Sequence, residues 1–294
     1  MTETLHDNKT LTELPRHTFV GPNREANYAI DIATPFMEAP SRAIPFFPEA
    51  LKTPEELQIL SEMNSAVTEY AQDLGVDINS RLPNPDDILL YSEDEFEKLR
   101  VALDKSEGWG GGWLSPNILA THPSLKNGKK MSVLGHELIH SVGFTGTRVS
   151  YKDSNTTTYV DQTRRGYAVA KDLAFNMLDE GVVEMMSREV AEKYWPNYAL
   201  LQQTAYNYTG YSSDMPVVGA MIDKMAEKLG KSKDEVWKPL AKGELTGDMK
   251  ALRQFVDAYG YEGMKTIAEY KKFGAESAGR VALQLGLDIK PPQE

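Results

Sequence analysis

The sequence predicts an α+β fold in which a small mixed sheet is followed by a mainly helical C-terminal part. Short apolar runs between residues 87 and 121 are typical of strands, whereas apolar residues recur at helical spacing through much of residues 215–285. Hydrophobic residues make up 41% of the 294-residue chain, which is enough to bury a core. We expect one domain over residues 53–294, because no internal repeat or low-complexity linker divides it.

Residues 1–52 differ in composition from the rest of the chain. They are rich in Pro, Thr, Asn and acidic side chains and show no sustained apolar period. We predict an N-terminal arm that is extended or only partly ordered.

Helix start and stop signals place several helices. The run Thr53-Pro54-Glu55-Glu56 offers an N-cap, a proline at the first helical position and a capping box. It predicts a helix that ends near Gly75, and a second box at residues 92–95 predicts a helix to about Leu103. Residues 215–229 form an amphipathic stretch that stops at a glycine, and a third box follows at residues 232–235.

Two strands are predicted in the first half of the chain. Residues 87–91 read as a short buried strand. The β-prone stretch Leu114–Thr121 contains Pro116, which cannot donate to a ladder, so we expect this strand at a sheet edge. The glycines at 110–112 predict a flexible turn before it.

Two long helices are predicted in the centre of the chain, from about Lys130 to Val142 and from near Tyr167 to Lys193. Between them, the content of Gly, Thr, Ser and Asn predicts a loop through Thr163.

Composition excludes several kinds of site. The chain has no cysteine, so any metal must bind His, Asp or Glu. With 32 basic and 43 acidic side chains, the net charge of −11 repels phosphate backbones and anionic membranes, and we expect neither nucleic acid nor membrane as a partner. The chain has neither a signal-peptide pattern nor an apolar stretch of about 20 residues, so a cytoplasmic location is expected, with signal-independent export left open.

The first of the two long helices carries the motif HELIH. His136 and His140 lie about 40° apart around the helix axis and about 6 Å apart along it, so both imidazoles can reach one ion. Zinc prefers nitrogen ligands in a tetrahedral array, and a catalytic site keeps one position open for water. Glu137 lies beside the ion, where it can take the proton of a bound water. The uncharged neighbours Val133-Leu134-Gly135 and Ser141-Val142 are typical of a buried helix.

A third protein ligand must come from another part of the chain. On the second long helix, Glu180 and Glu184 lie four residues apart and share one face. Either carboxylate could complete the site. The alternative is that the two histidines are a coincidental pair in a helical core.

HELIH followed by Leu178-Asp179-Glu180-Gly181-Val182-Val183-Glu184 resembles the gluzincins, the peptidase clan that includes thermolysin and the aminopeptidases of the leukotriene-hydrolase type. The resemblance covers about residues 112–285 and implies a zincin-like fold with one zinc ion per chain. It implies that Glu180 is the third ligand and that Glu184 receives the N–H of a zinc-bound imidazole. Asp179 stands where the related families usually have Asn, and the Gly-x-Met-Glu-Asn stretch of the aminopeptidases is missing ahead of HELIH.

The resemblance further implies hydrolysis of a peptide or protein substrate with Glu137 as general base. The edge strand Leu114–Thr121 would bind the substrate by strand addition. Gluzincins commonly stabilise the developing oxyanion with a Tyr or His, and Tyr211 in the cluster Tyr206, Tyr208 and Tyr211 is the candidate here. A packing role for these tyrosines is the alternative.

Two further hypotheses belong to other functional classes. The protein could keep the zinc site without turnover and act as a protein-binding module. Alternatively, residues 1–52 could be an inhibitory pro-segment that covers the cleft of an enzyme.

Overall fold

A computed structural model of the chain confirms the α+β class, with a mainly helical body and two small sheets. No helix in the described ranges is long and apolar enough to cross a membrane. The described ranges are 16–22, 48–84, 88–105, 107, 110–114, 117–121, 128–151, 158–169, 173–207, 214–271 and 274–289.

The described strands all lie before residue 170, and the described elements after it are helices. The strands are β1 (Arg16–Pro22), β2 (Ile88–Tyr91), β3 (Gly111–Leu114), β4 (Asn117–Thr121), β5 (Phe144–Tyr151), β6 (Thr158–Arg165) and β7 (Ala168–Val169). The α-helices are α1 (Pro54–Asp73), α2 (Glu93–Ala102), α3 (Gly128–Val142), α4 (Asn176–Lys193), α5 (Met215–Leu229), α6 (Lys233–Thr246), α7 (Arg253–Ala268) and α8 (Ala275–Leu285). Short 3-10 helices lie at Trp195–Asn197, Leu201–Gln203 and Met249–Leu252.

Local capping signals give the helix boundaries that the sequence predicts. The Thr53 hydroxyl accepts the N–H of Glu56 at 3.2 Å, and the Glu56 carboxylate accepts the N–H of Thr53 at 2.7 Å. Ser232 and Glu235 form the same reciprocal pair at the start of α6. Helix α5 ends at Gly230, whose φ of 62° lies in the left-handed region.

The two sheets differ in strand direction. Strands β1, β5, β6 and β7 pair in that order and are all antiparallel. The second sheet has the order β2-β4-β3, with β2 parallel and β3 antiparallel to β4. This second sheet is the small mixed sheet that the sequence predicts.

The predicted edge strand Leu114–Thr121 is wrong. The run divides into β3 and β4, which pair antiparallel with Leu114 opposite Asn117, and β4 lies between β2 and β3 in the middle of the sheet. Pro116 comes between the two strands in the sequence and lies outside the described residues. The two edges of this sheet are β2 and β3. Strand β3 contains Gly111 and Gly112, so the predicted glycine turn is also wrong.

The predicted loop through Thr163 is wrong as well, because β5 and β6 pair across most of it. The β-branched residues Thr145, Thr147 and Val149 alternate along β5, and this alternation outweighs the polar composition that suggests a loop. The second long helix starts at Asn176 rather than near Tyr167, since β7 comes first.

Strand β1 lies within the predicted N-terminal arm and pairs with β5. Residues 1–15 and 23–47 lie outside the described residues. The division of the chain at residue 53 stays a prediction.

Helices α3 and α4 form the centre of the molecule. Every residue from Met131 to Val142 is buried, because α3 contacts β3 and β4 as well as α4. Helix α4 in turn contacts α5, α6 and α7. The HELIH helix therefore lies between the mixed sheet and the C-terminal helices.

Candidate metal centre

Helix α3 brings the two histidines of HELIH together in the interior. The side chains of His136 and His140 are 0% and 1% exposed, and their ring centroids lie 4.8 Å apart. Their spacing of four residues puts both rings on the same face, which is turned toward α4.

Helix α4 supplies a carboxylate between the two rings. The Oε2 atom of Glu180 lies 3.3 Å from Nε2 of His136 and 3.1 Å from Nε2 of His140. One ligand atom from each of the three residues fits within 4.8 Å, and all three residues are buried. This group could hold a metal ion, because two imidazole nitrogens and a carboxylate oxygen converge where little water can enter.

Glu184, one turn after Glu180, contacts the other nitrogen of His136. Its Oε2 atom lies 3.1 Å from Nδ1 of His136, and the hydroxyl of Tyr206 donates to the same oxygen at 2.9 Å. Arg188 donates to the second carboxylate oxygen at 2.7 Å. If a metal displaces the proton from Nε2 of His136, the carboxylate of Glu184 can keep the remaining proton on Nδ1 and so leave the Nε2 lone pair for the metal.

Glu137 is 9% exposed and lies next to the first histidine on α3. Its negative charge acts on the imidazole of His136. Burial alone would lower the pKa of His136, but the hydrogen bonds to Glu180 and Glu184, with the charge of Glu137, outweigh burial and raise the pKa to about 10.

The other two members of the group have pKa values that suit metal binding. Burial and the guanidinium of Arg165 lower the pKa of His140 to about 3, so this imidazole is neutral. Burial would raise the pKa of Glu180, but the contact with His140, the guanidinium of Arg165 and the hydrogen bond with His136 outweigh burial and hold the pKa well below its usual value. A neutral imidazole and an ionised carboxylate are the forms that bind metal.

Arg165 is a site residue that the sequence interpretation missed. It ends β6, donates from Nη2 to Oε1 of Glu180 at 2.5 Å, and places Nε 3.4 Å from Oδ2 of Asp179. Residues 164–166 lie between the predicted loop and the predicted helix, and the pair Arg164-Arg165 just ahead of the acidic helix is a signal that the sequence analysis does not use.

A second buried group lies beside the first and shares His140. One ligand atom each from His140, Asp179 and Glu244 of α6 also fits within 4.8 Å. Nδ1 of His140 has no hydrogen-bond partner within the described part of the chain, and Oδ2 of Asp179 lies 3.4 Å from Nε of Arg165. Burial and the charge of Asp179 raise the pKa of Glu244 well above its usual range, which favours the neutral carboxyl.

The turn after β6 packs directly on this second group. Gly166 has φ 46°, and a Cβ there would lie 2.0 and 2.1 Å from the Glu244 oxygens and 2.3 Å from Oδ1 of Asp179. That Asp179 oxygen accepts the backbone N–H groups of Tyr167 at 2.7 Å and Ala168 at 3.2 Å. Asp179 thus anchors the turn after β6 and the start of β7 to α4.

Of the predicted tyrosine cluster, only Tyr206 can be placed, and it donates to Glu184. Tyr208 and the predicted oxyanion donor Tyr211 lie outside the described residues. The role of Tyr211 stays a prediction, as do the individual roles of His136, Glu137, His140, Glu180 and Glu184.

Comparison with known proteins offers no relative from which a function could be transferred. No family model, no curated protein and no solved structure matches the chain. The basis for a functional assignment is therefore the geometry of the site. The gluzincin resemblance, which rests on HELIH and residues 178–184, stays a prediction.

Proposed function

We propose that the protein is a zinc-dependent metallopeptidase of the gluzincin type with a zincin-like fold. The observation that carries the proposal is the convergence of His136, His140 and Glu180 within 4.8 Å, on two helices and in a buried position. Glu137 follows the first histidine directly, where a general base is needed.

The donor set supports zinc as the ion. Two imidazoles and one carboxylate match the ligands of catalytic zinc sites, whereas calcium and magnesium prefer oxygen ligands alone. Three protein ligands leave one coordination position for water or substrate. When bound, zinc polarises a carbonyl group and lowers the pKa of water to about 7.

Glu137 would act as the general base. Its carboxylate takes a proton from the attacking water, whose oxygen forms a bond to the carbonyl carbon of the substrate. Glu137 then passes that proton to the leaving amine as the C–N bond breaks. Its low exposure keeps the proton away from bulk water during the transfer.

In this proposal the strand that binds the substrate is β3, in place of the predicted strand at residues 114–121. Among the described strands of its sheet β3 lies at an edge, so it can pair with an extended peptide by strand addition. It contacts α3, and a Cβ on Gly110 would lie 3.3 Å from Cγ2 of Val133 on that helix. Gly111 and Gly112 have no side chains, so a peptide backbone can come close.

The first experiment is elemental analysis of the purified protein and of the double variant His136→Ala/His140→Ala. We expect about one zinc ion per parent chain and none in the variant, because two of three ligands are removed. A parent chain without zinc that takes up none on addition would overturn the proposal.

The second experiment is a peptide-library digest with the zinc-loaded parent and with Glu137→Gln. We expect cleavage by the parent, and a variant that keeps zinc but loses most hydrolysis. Zinc binding without cleavage by the parent would favour the alternative, a protein-binding module that keeps the site but has no turnover.

A further inference from the structure

Arg165 occupies an unusual place for a cation, directly behind a metal-ligand carboxylate. Its Nη2 donates to Oε1 of Glu180 at 2.5 Å, while Oε2 of the same carboxylate faces both histidine Nε2 atoms at 3.1 and 3.3 Å. The carboxylate of Glu180 therefore lies between the guanidinium and the point where the ligand atoms converge. It approaches from β6, an element that belongs to neither motif helix.

The two known contacts of Arg165 do not use its full donor capacity. A guanidinium has five N–H groups in a planar fork. Within the described residues, Arg165 bonds Glu180 through Nη2 and pairs with Asp179 through Nε. Its side chain is 23% exposed, so the described residues do not enclose it completely. N–H groups remain for a ligand at the metal centre.

From this placement we infer that Arg165 is a catalytic residue that donates a hydrogen bond to the carbonyl oxygen of the scissile peptide bond. The inference rests on the proposed peptidase function and names the oxyanion donor for it. Tyr206, the described member of the tyrosine cluster, is already engaged with Glu184.

The chemistry requires a donor that acts as charge develops. When the water oxygen bonds to the carbonyl carbon, the π electron pair of the C=O group moves to its oxygen. An N–H of Arg165 donates to that oxygen, and the interaction weakens when the pair returns and the amine leaves with the proton from Glu137. Glu180 and Asp179 hold the guanidinium in position beforehand, so it does not reorganise during the reaction.

A rigid position for Arg165 matters more than its charge alone. A lysine at this position would keep the charge but lose the planar fork that contacts two carboxylates at once. The binding of uncharged substrate in its ground state should depend little on Arg165, whereas binding of the charged tetrahedral species should depend on it strongly.

The test uses full-length, zinc-loaded protein with Arg165→Ala and Arg165→Lys. Arg164→Ala is the matched control, because Arg164 points elsewhere, donating to the carbonyl of Gly247 and lying over the Phe144 ring. Zinc content, kcat and KM are measured on a peptide that the parent cleaves. Calorimetry gives the affinity for the phosphinic analogue of that peptide, which mimics the tetrahedral species.

We expect Arg165→Ala to keep one zinc ion per chain and to lose about 10²–10³-fold in kcat with little change in KM. Affinity for the phosphinic analogue should fall by a similar factor, and added guanidinium ion should restore part of the activity. Arg165→Lys should recover only a small part of the loss, and Arg164→Ala should retain parental kcat.

Two outcomes would overturn this role while leaving the peptidase proposal intact. In the first, Arg165→Ala cleaves as fast as the parent. In the second, Arg165→Ala loses zinc and analogue binding together, which would make Arg165 a support for Glu180 alone. A parent protein that binds zinc but cleaves no peptide would instead overturn the proposed function, and this role with it.

Discussion

The Nδ1 atom of His136 lies 3.1 Å from Oε2 of Glu184, and the hydroxyl of Tyr206 donates to the same oxygen at 2.9 Å. Glu184 is completely buried, so its charge acts on the imidazole with little screening by water. A ring held in this way presents its other nitrogen toward the candidate metal centre in a fixed direction. The strength of metal binding should therefore depend on a residue that is not itself a ligand.

We predict that Glu184→Gln lowers zinc affinity by about 10–100-fold, because the amide is a weaker partner for the imidazole N–H. Tyr206→Phe removes one hydrogen bond to the carboxylate and should cost less. Competition with a coloured chelator measures both affinities. Tyr198→Phe is the control, because the Tyr198 hydroxyl donates to Glu69, a residue outside the site, at 2.7 Å. Equal losses of zinc affinity in the two Tyr→Phe variants would contradict the prediction.

We predict that Gly166→Ala destabilises the fold more than Gly230→Ala does. Both glycines have positive φ, at 46° and 62°, and an L-residue in this region costs about 1–2 kcal/mol. Only at Gly166 would the new Cβ meet neighbours, with the Glu244 oxygens at 2.0 and 2.1 Å, and such overpacking adds about 1–3 kcal/mol. Urea unfolding gives both free energies, and similar losses would show that the turn can move away from Glu244.

We predict opposite effects from two helical glycines. A Cβ on Gly181 of α4 would lie 2.5 Å from Cγ2 of Val218, so Gly181→Ala should push α4 from α5 and cost about 1–3 kcal/mol. Nothing lies within 4 Å of a Cβ on Gly219, so Gly219→Ala should stabilise the protein by up to about 1 kcal/mol through helix propensity. Thermal unfolding of the two variants should shift in opposite directions, and a stabilised Gly181→Ala would refute the close packing of the helices.

We predict a pH-dependent role for Glu189 of α4. Its carboxylate accepts hydrogen bonds from Trp237 at 2.7 Å and Tyr70 at 3.0 Å and pairs with Lys193. Burial raises the pKa of this carboxyl, but the three donors outweigh burial and hold the pKa below its usual 4.5. A lowered pKa in the fold means that the charged form stabilises the protein above about pH 4.5, and that this stability is lost as the pH falls through the folded-state pKa.

Glu189→Gln should therefore cost about 1–2 kcal/mol near pH 7, and the difference from the parent should shrink on acidification. Urea unfolding from about pH 7 to about pH 3.5 measures this trend. Glu192→Gln, at an exposed position on the same helix, is the control and should change stability little. A difference that stays constant with pH would exclude the carboxyl of Glu189 as its source.

Local signals account for the parts of the fold that could be predicted. The boxes at Thr53 and Ser232 and the glycine stop after α5 involve residues within four positions of each other, so the sequence displays them directly. The same holds for the placement of both HELIH histidines on one buried face. Glu180 and Glu184 could be paired with them because a helix repeats every 3.6 residues.

Long-range pairing accounts for the parts that could not be predicted. The β5–β6 hairpin has a polar composition, and its strand character depends on partners in β1 and in the hairpin itself. Arg165 reaches Glu180 only because that hairpin returns to the start of α4. Glu244 lies close to Asp179 because α6 packs on α4, and no residue spacing in the sequence predicts this contact.

The position of Glu244 connects the candidate metal centre to the C-terminal helices. A carboxyl oxygen of Glu244 lies within 4.8 Å of a ring nitrogen of His140, and Gly166 packs against the same carboxyl, so a helix far downstream of HELIH contributes to the surroundings of His140. We expect a shortened protein that keeps HELIH and Glu180 but lacks α6 to have water beneath His140. A smaller protein designed around this site would need a replacement for α6. Grafting only α3 and α4 onto another scaffold would transfer His136, His140 and Glu180 without the neighbouring residue Glu244.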